Sequence, residues 1–302
     1  MPSLTEAPVL LWETATLEAC LRYRALELIS PSADYAAANL YMWDETYHQQ
    51  LAFWGERAAG RIREEDGRYR YLFPVGKGAL TPILEALWRE EKEKGEQLRF
   101  VGVSEEELAH LVAQWGEKLQ ILETREWEDY LYDAEKLATL SGKKLHAKRN
   151  HINAFSAQYA WHTEPLSPAH APICFEILKK WQVGKTDGIE EEERAIELGF
   201  EAWEPLELSG LLLYANGAPV AFTVGSRITN ECLCVHFEKA LPGFEGAYPV
   251  INREYVRASR ERYPQLTLIN REDDMGLDNL RAAKLSYRPV SLLRKFDVTV
   301  LA

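Results

Sequence analysis

Two polar side chains in the run CLCVHFEKA have types and a spacing suited to acyl-transfer chemistry. His236 and Glu238 lie two residues apart, so in a strand they alternate with Val235 and Phe237. If the apolar pair faces the core, the polar pair faces a cleft. Glu238 is therefore predicted to position or deprotonate an amine, and His236 to contact the substrate. The alternatives are a hydrogen-bonded, partly buried histidine and a carboxylate without a catalytic role.

A second polar group, the run NREDD, follows the apolar run LTLI. In α/β folds, ligands bind at the carboxyl ends of strands, which is where these side chains are expected. Asp273 is predicted to orient an ammonium group, and Asn270 and Arg271 to contact the substrate. Alternatively, Asp273 or Asp274 caps the helix that follows. Lys284, on that helix, is also predicted to contact the substrate.

The one dense positive cluster of the sequence lies in the run SGKKLHAKRNHINAF, on a helix that Ser141 is predicted to cap. Lys144, Lys148 and His151 follow the i, i+4, i+7 spacing of one helix face, with Arg149 beside them. The formal net charge of -12 argues against a general nucleic-acid binder. The cluster is therefore predicted to be a local contact for phosphate, carboxylate or RNA backbone, or alternatively a solvated helix face.

Local signals predict the elements that must position these residues. Asn216-Gly217 between two apolar runs predicts a hairpin, because both residues tolerate positive φ. Ser104 and Glu107 form a capping box at a helix start, and Pro264 ends a later helix. The predicted C-terminal order is a hairpin, strand Glu231–Ala240, a Gly-containing loop, helix Val250–Arg262, strand Leu266–Asn270, helix Leu277–Leu285 and a final strand in VSLLRKFDVTV.

The first half of the chain shows the same order of elements. After an opening helix predicted from Thr16 to Ile29, strand segments lead to Tyr69–Pro74, a loop GKG and a helix that begins near Thr81. Two copies of one α/β unit are therefore predicted, covering residues 1–133 and 134–302. A cleft between two packed copies is a natural ligand site.

Composition describes an ordinary globular protein of 302 residues, with 46% hydrophobic and 27% charged residues. No apolar run is long enough to cross a bilayer, so no transmembrane segment is expected. The N-terminus lacks the basic start of a secretory signal, and a cytoplasmic location is expected.

Four cysteines in a chain of this length do not make a disulfide framework. Cys232 and Cys234 lie on the same face of a predicted strand. They are interpreted as buried apolar side chains, with a redox or metal-binding role as the alternative. No metal is predicted.

The order of elements in each unit resembles the Gcn5-related N-acetyltransferase fold. Three runs, DAEKLATLSGKKLHAKRNHINAF, HFEKALPGFEGAYPVINREY and INREDDMGLDNLRAAKLSYRP, are similar to the bacterial family DUF2156. That family is grouped with the C-terminal domain of phosphatidylglycerol lysyltransferase and is similar to tandem-acetyltransferase-fold proteins that use aminoacyl-tRNA. The resemblance covers most of the chain and is strongest from residue 129 to residue 296. It implies a mixed-sheet α/β fold of two tandem acetyltransferase-like units packed together.

The resemblance also implies where a coenzyme A donor would bind. In the acetyltransferase fold, the loop after the fourth strand leads into a helix whose N-terminus receives the pyrophosphate. Here Gly243, Gly246, Ala247 and Tyr248 occupy that loop, although it departs from the pattern Q/R-x-x-G-x-G/A. The alternative is a tight strand-to-helix turn. Tyr287 matches the position at which that fold often has a tyrosine as general acid, and a packed aromatic ring is the alternative.

Together these features predict an acyltransferase or aminoacyltransferase. The donor would be a coenzyme A thioester or an aminoacyl-tRNA, and the acceptor an amine or hydroxyl group on a small molecule or a lipid. The second hypothesis is a module without catalytic activity that binds tRNA or another anion on the same fold.

Overall fold

A computed structural model describes residues 7–28, 30–184 and 188–301. These residues form two compact units. Unit 1 comprises the described residues up to Glu128 together with those from Leu293 onwards, and unit 2 comprises Asp129–Leu292. None of the helices in the described ranges combines the length and hydropathy that a membrane-spanning helix needs.

The helices alternate with strands along most of the chain. In chain order the helices are α1 (Leu17–Arg24), α2 (Ala37–Met42), α3 (Asp44–Tyr47), α4 (Thr81–Glu93), α5 (Glu105–Trp115), α6 (Ala134–Thr139), α7 (His146–Gln158), α8 (Ala171–Trp181), α9 (Ile189–Glu201), α10 (Ala247–Arg262) and α11 (Asp278–Leu285).

The strands form two mixed sheets, one in each unit. In chain order the strands are β1 (Glu13–Thr14), β2 (Gln50–Trp54), β3 (Arg57–Arg63), β4 (Tyr69–Tyr71), β5 (Val75–Gly76), β6 (Arg99–Val103), β7 (Leu119–Glu123), β8 (Asp129–Asp133), β9 (Trp161–Pro165), β10 (Ser209–Ala215), β11 (Ala218–Arg227), β12 (Cys232–Ala240), β13 (Leu268–Asn270), β14 (Ser291–Leu293) and β15 (Phe296–Val300).

The sheet of unit 1 has the strand order β1-β2-β3-β4-β6-β15-β7, and β5 also pairs with β3. β4 and β6 run parallel, and α4 connects them, as a parallel pair requires. The core beneath contains Tyr71, Leu87 and Phe100, all buried. The predicted capping box at the start of α5 is confirmed, because the Ser104 hydroxyl accepts from the Glu107 N–H and the Glu107 carboxylate accepts from the Ser104 N–H.

The sheet of unit 2 has the strand order β14-β8-β13-β12-β11-β10-β9. The predicted hairpin joins β10 to β11, and its turn residues Asn216 and Gly217 both have positive φ, 51° and 79°. β12 and β13 run parallel and are connected by α10, which packs Val250, Ile251 and Tyr255 into the core of the unit. The strand–helix–strand pairs β4-α4-β6 and β12-α10-β13 therefore repeat, as the sequence predicts.

The end of the chain departs from the prediction. VSLLRKFDVTV is two strands: β14 lies at the edge of the unit 2 sheet, whereas β15 lies between β6 and β7 in unit 1. Likewise β8, predicted to end the first unit, pairs with β13 in unit 2. The chain thus passes from unit 1 to unit 2 after residue 128 and returns to unit 1 after residue 292, whereas the sequence predicts a single boundary at residue 133. Strand partners are chosen by long-range hydrogen bonds and packing, which the local pattern does not contain.

The start of one helix and the end of another also differ from the predicted positions. Ser141 does not cap α7, because a 3-10 turn over Lys143–Leu145 comes first and α7 begins at His146. The first helix ends at Arg24, and the predicted end at Ile29 lies outside the described residues. Helix ends are where local patterns are least informative.

Gly246, which precedes α10, lies so close to α7 that a side chain would not fit. Its φ is +94°, and a Cβ atom there would lie 2.6 Å from the His151 carbonyl oxygen and 2.9 Å from Phe155 Cβ. Gly243 in the same loop also has positive φ, +86°, but within the described part of the chain it has open space around that position. The close contact between α7 and the loop therefore requires glycine at residue 246.

We expect Gly246→Ala to lower the free energy of unfolding by roughly 2–4 kcal/mol, the combined cost of overpacking and of a left-handed non-glycine residue. Gly243→Ala is the matched control and should cost about 1–2 kcal/mol, because only the conformational term applies. Urea unfolding monitored by circular dichroism measures both. Equal losses in the two variants would contradict the close packing of α7 on this loop.

Candidate functional site

The site is built on the point where β12 and β13 separate. Their parallel pairing covers three residue pairs and ends at Cys234 opposite Asn270. β12 continues to Ala240, while the chain after Asn270 turns away towards α11. β12 and β13 therefore separate at their carboxyl ends, which leaves room for side chains from both strands.

Glu238 and Arg271 form an ion pair across this opening. The Arg271 Nη2 atom donates to Glu238 Oε1 at 2.8 Å, and Asn252 Nδ2 on α10 donates to Glu238 Oε2 at 3.0 Å. The Arg271 side chain is 13% exposed and the Glu238 side chain 7%. Burying such a pair is costly unless hydrogen bonds satisfy both charges. Here the Glu238 carboxylate accepts hydrogen bonds from Arg271 and Asn252, and it holds the guanidinium in place.

Three buried polar atoms around this ion pair have no hydrogen-bond partner among the described residues. They are Arg271 Nη1, Asn252 Oδ1 and Thr223 Oγ1. Thr223 on β11 lies directly opposite Glu238 in the sheet. Buried polar atoms are normally paired, so a group of unpaired ones next to a charge is typical of a binding site. Together they offer a cationic donor, an amide acceptor and a hydroxyl.

Aromatic rings and a lysine surround Arg271. The guanidinium carbon lies 4.8 Å from the centre of the Tyr287 ring and 5.8 Å from that of Tyr132. The Lys148 Nζ atom of α7 lies 3.8 Å from the centre of the same Tyr287 ring. Cations at these distances from a ring face are attracted to it. Both cations therefore contact the Tyr287 ring, and burial of this residue raises the pKa of the phenol.

Lys148 has a pKa suited to proton transfer near neutral pH. Burial, together with the positive charge of Arg271, lowers its pKa from the usual 10.5 to about 8, against the opposing effect of the Glu238 charge. A lysine with such a pKa is partly neutral at physiological pH and can accept a proton.

Lys284 fixes the turn that carries Arg271. Its Nζ atom donates to the Arg271 carbonyl oxygen at 2.5 Å and to the Asp273 carbonyl oxygen, and the residue is buried. Burial also lowers the pKa of this lysine. Tyr132 OH donates in turn to the Lys284 carbonyl oxygen at 2.8 Å. These contacts make Lys284 a positioning residue for Arg271.

The prediction that His236 and Glu238 face the same side of the strand is wrong. The pairing of β11 with β12 shifts between Val224 opposite Phe237 and Gly225 opposite Val235, which leaves His236 as an additional residue in β12. Such a bulge reverses which side the following residues face. Glu238 therefore contacts α10.

His236 instead belongs to a separate polar group. Its Nε2 atom lies 2.8 Å from Ser226 Oγ, and its Nδ1 atom lies 3.2 Å from Glu272 Oε1. The same carboxylate accepts from the Cys234 thiol at 3.5 Å. The structure thus brings His236 together with Glu272 and Cys234 rather than with Glu238.

The remaining polar residues after β13 stabilise the backbone. Asn270 donates to Asp129 Oδ2 at 2.8 Å, and its own side-chain oxygen accepts from the Glu272 N–H at 2.7 Å. Asp273 Oδ1 accepts from the Met275 N–H at 2.8 Å, which closes a turn before α11. The ammonium-orienting role of Asp273 stays a prediction.

Asp274 is an ion-pair residue rather than a helix cap. Both of its oxygens accept from Arg281 at 2.9 Å, and Tyr130 OH donates to one of them. Arg281 and Tyr130 hold the pKa of this buried carboxyl well below its usual range, against the effect of burial. α11 itself begins after Leu277, whose side chain is apolar, so the helix-cap alternative for Asp273 and Asp274 is wrong.

The loop before α10 supplies few groups to the opening. Ala247 is buried in the core, and Gly243 is exposed. Tyr248 OH accepts from Trp181 Nε1 of α8 at 2.8 Å. Burial raises the pKa of Tyr248, and the nearby charge of Glu238 adds to the effect. Tyr248, in the first turn of α10, is therefore the residue of this stretch whose hydroxyl is influenced by the charge of Glu238.

The residues of the predicted basic cluster have different surroundings in the structure. Lys148 reaches the opening, as described above. Arg149 donates from Nη1 to the carbonyl oxygens of Leu140 and Gly142, the latter at 2.8 Å, and so stabilises the end of α6. Lys144 is exposed in the 3-10 turn that precedes α7.

Sequence reasoning missed Asn252 and Tyr132. Asn252 shares a buried face of α10 with Val256 and Ser259, at i, i+4 and i+7. A polar residue in such an apolar stripe is the signal that could have identified it. Tyr132 lies in a strand predicted to belong to the other unit, and nothing local indicated its partner.

Comparison with known proteins agrees with this architecture. A tandem acetyltransferase-fold protein from the clavulanic acid biosynthesis pathway superposes with a TM-score of 0.51 at 13% identity, covering 96% of this chain and 97% of that one. The C-terminal DUF2156 domain of a putative lysylphosphatidylglycerol synthetase from Agrobacterium fabrum gives 0.67 at 15% identity, with 95% and 93% covered. The fold is thus a tandem acetyltransferase-like α/β fold, as predicted.

The family follows from the sequence match. Residues 26–299 match the family described as phosphatidylglycerol lysyltransferase, C-terminal, and the chain belongs to that family. A conserved protein of unknown function from Bacteroides thetaiotaomicron is 32% identical, with a TM-score of 0.89, and 96% of this chain and 99% of that chain are covered. An uncharacterised protein of Mycoplasmoides gallisepticum is 28% identical over 179 residues, 57% of this chain, and the chain spans 56% of that relative.

We expect Lys148→Met to stabilise the protein at pH 7. In the folded state burial disfavours the charged form of Lys148. Below about pH 8 the lysine is charged in both states, so the folded state bears the full free-energy cost of burying that charge. Between pH 8 and 10.5 the unfolded state binds more protons than the folded state, so the unfolding free energy of the parent rises with pH. The difference between variant and parent should therefore shrink over this interval. Urea unfolding at a series of pH values measures it, with exposed Lys144→Met as the control. A constant difference across that interval would contradict the lowered pKa.

Proposed function

We propose that this chain is an aminoacyltransferase that moves an aminoacyl group from aminoacyl-tRNA to a hydroxyl or amine acceptor in the opening between β12 and β13. The observation that carries the proposal is the buried Glu238–Arg271–Asn252 group, with three polar atoms unpaired among the described residues, next to Lys148. The family described above is one of aminoacyl or acyl transferases, which makes this chemistry the natural one for the site.

The reaction needs a base, a donor for the carbonyl oxygen and a proton for the leaving group. Lys148, with a pKa of about 8, takes the proton from the acceptor as it attacks the ester carbonyl carbon. Arg271 Nη1 donates to the oxygen on which negative charge develops. The ester C–O bond then breaks, and Tyr287 gives a proton to the leaving hydroxyl. Glu238 keeps the guanidinium oriented and takes no proton itself.

Two features favour aminoacyl-tRNA over coenzyme A as the donor. The loop before α10 is packed against the His151 carbonyl oxygen at Gly246, and a carbonyl oxygen is a poor neighbour for a pyrophosphate. Lys143 and Lys144 are exposed in the 3-10 turn just before α7, and Lys148, in the first turn of α7, reaches the opening. Exposed lysines suit a long polyanion, because contacts to its phosphates release counterions.

The acceptor is proposed to be an amphiphile. Four large apolar side chains of the segment that contains Tyr287 are exposed: Met275, Leu277, Leu285 and Val290. Exposed apolar groups near a site are typical of surfaces that bind other molecules. The Agrobacterium relative is described as a putative lysylphosphatidylglycerol synthetase, so phosphatidylglycerol is the first acceptor to test.

We expect transfer of radiolabelled amino acid from a panel of charged tRNAs, lysyl-tRNA first, to phosphatidylglycerol vesicles. Lys148→Met and Tyr287→Phe should each slow this transfer by roughly 10²–10⁴-fold, because each removes one proton-transfer group. Glu245→Gln, on an exposed carboxylate of the neighbouring loop, is the control and should keep full activity. Both site variants retaining full turnover, or transfer from acetyl-coenzyme A alone, would refute the proposal.

We expect the double variant Lys143→Glu, Lys144→Glu to bind charged tRNA more weakly and with a smaller salt dependence. Each lost phosphate contact reduces the slope of log affinity against log salt by about one. Coenzyme A affinity should not change. Titration of both ligands at several salt concentrations measures this, and unchanged tRNA binding would count against tRNA as donor. Tight tRNA binding without any transfer would instead support the non-catalytic module.

A further inference from the structure

The group on the opposite side of β12 from Glu238 has the composition of a metal site. Cys234, His236 and Glu272 each offer one ligand atom, and these atoms all lie within 4.8 Å of one another. Glu272 Oε1 lies 3.2 Å from His236 Nδ1 and 3.5 Å from Cys234 Sγ. Tetrahedral zinc bonds of ordinary length separate neighbouring ligand atoms by roughly 3.4–3.6 Å. The side chains therefore need little movement to surround one ion.

We propose that Cys234, His236 and Glu272 bind one divalent cation of the zinc class, with a fourth position open to water or another ligand. This proposal does not depend on the proposed transferase function. One thiolate, one imidazole and one carboxylate form a mixed ligand set that suits Zn²⁺, whereas Mg²⁺ and Ca²⁺ prefer oxygen ligands alone.

Ser226 supplies the outer contact that a metal-bound histidine usually has. Its hydroxyl lies 2.8 Å from His236 Nε2. A serine hydroxyl can accept as well as donate, so it can hold the tautomer in which Nε2 carries the proton and Nδ1 is free for the ion. Ser226 is 4% exposed, which suits an orienting residue rather than a nucleophile.

The carboxylate is held towards the other two ligands by its backbone. Glu272 has a φ of +55°, which is uncommon for a residue with a side chain. Its N–H donates to Asn270 Oδ1, and Asn270 is held in turn by buried Asp129. Its side chain is 27% exposed, whereas that of His236 is fully buried. Solvent therefore reaches this group from the side on which the Glu272 side chain lies.

Binding would replace a proton by the ion. A cysteine that binds no metal ion is ordinarily a thiol at neutral pH. On binding, the S–H bond breaks, the thiolate coordinates the ion and one proton is released to solvent. The Nδ1 atom of His236 and the Glu272 carboxylate contribute lone pairs to the ion.

The test begins with chelator-treated full-length protein titrated with Zn²⁺ by calorimetry in buffers of different ionisation enthalpy. We expect one ion and one released proton per chain, together with a higher melting temperature. Co²⁺ in place of Zn²⁺ should give a thiolate-to-cobalt charge-transfer band. No stoichiometric binding would overturn the proposal and leave a closed hydrogen-bonded group.

Variants locate the ion. Cys234→Ser and Glu272→Gln should each abolish the stoichiometric site, and Cys234→Ser should also abolish the cobalt band. Ser226→Ala should weaken binding by roughly 10–100-fold, the usual effect of an outer contact. Cys232→Ser, which removes another buried thiol two residues earlier in β12, is the matched control. Circular dichroism checks that each variant is folded. Equal Zn²⁺ affinity in folded Cys234→Ser and in Cys232→Ser would refute the assignment.

Discussion

The parallel pairing of β12 and β13 is short, and the chemistry of unit 2 depends on where it stops. A longer ladder would fill the space between the strands with backbone hydrogen bonds and leave no room for side chains. After Cys234 opposite Asn270, side chains take over the role of the ladder, and the Glu238–Arg271 ion pair bridges the two strands. The opening is therefore both a gap in the sheet and a place where charged groups are held away from water.

Electrostatics explains why such an arrangement is costly and useful. Placing Glu238, Arg271 and Lys148 together in a partly dry space disfavours the charged form of Lys148, whose pKa is lowered by burial, whereas the charge of Glu238 raises the pKa of Arg271 against the effect of burial. A core of apolar side chains of the same volume would be at least as stable. Charged groups kept in fixed positions can, however, stabilise charge that develops during a reaction without reorganising. The cost to folding is thus compatible with a catalytic role.

The bulge at His236 gives one strand two different polar faces. Because of the additional residue, Glu238 contacts α10, whereas Cys234 and His236 contact Glu272. Arg271 and Glu272 are neighbours in the chain, so the two polar groups share one stretch of backbone. Lys284 binds the carbonyl oxygens on either side of Glu272 and holds this stretch in place. Both polar groups therefore depend on one stretch of backbone that Lys284 fixes.

The sequence by itself determined the elements that depend on neighbouring residues: the Asn216-Gly217 turn, the Ser104 cap, the order of strands and helices and the polar cluster after β13. It also indicated that Glu238 and Arg271 lie near one another, because the ends of neighbouring strands meet, and the resemblance to the acetyltransferase fold pointed to Tyr287. Only the tertiary structure decided that β8 and β15 join the sheets of the other halves of the chain, since strand pairing is a long-range choice. It likewise decided the bulge, the burial of Lys148 and the capping role of Arg149, because each depends on atoms distant in sequence.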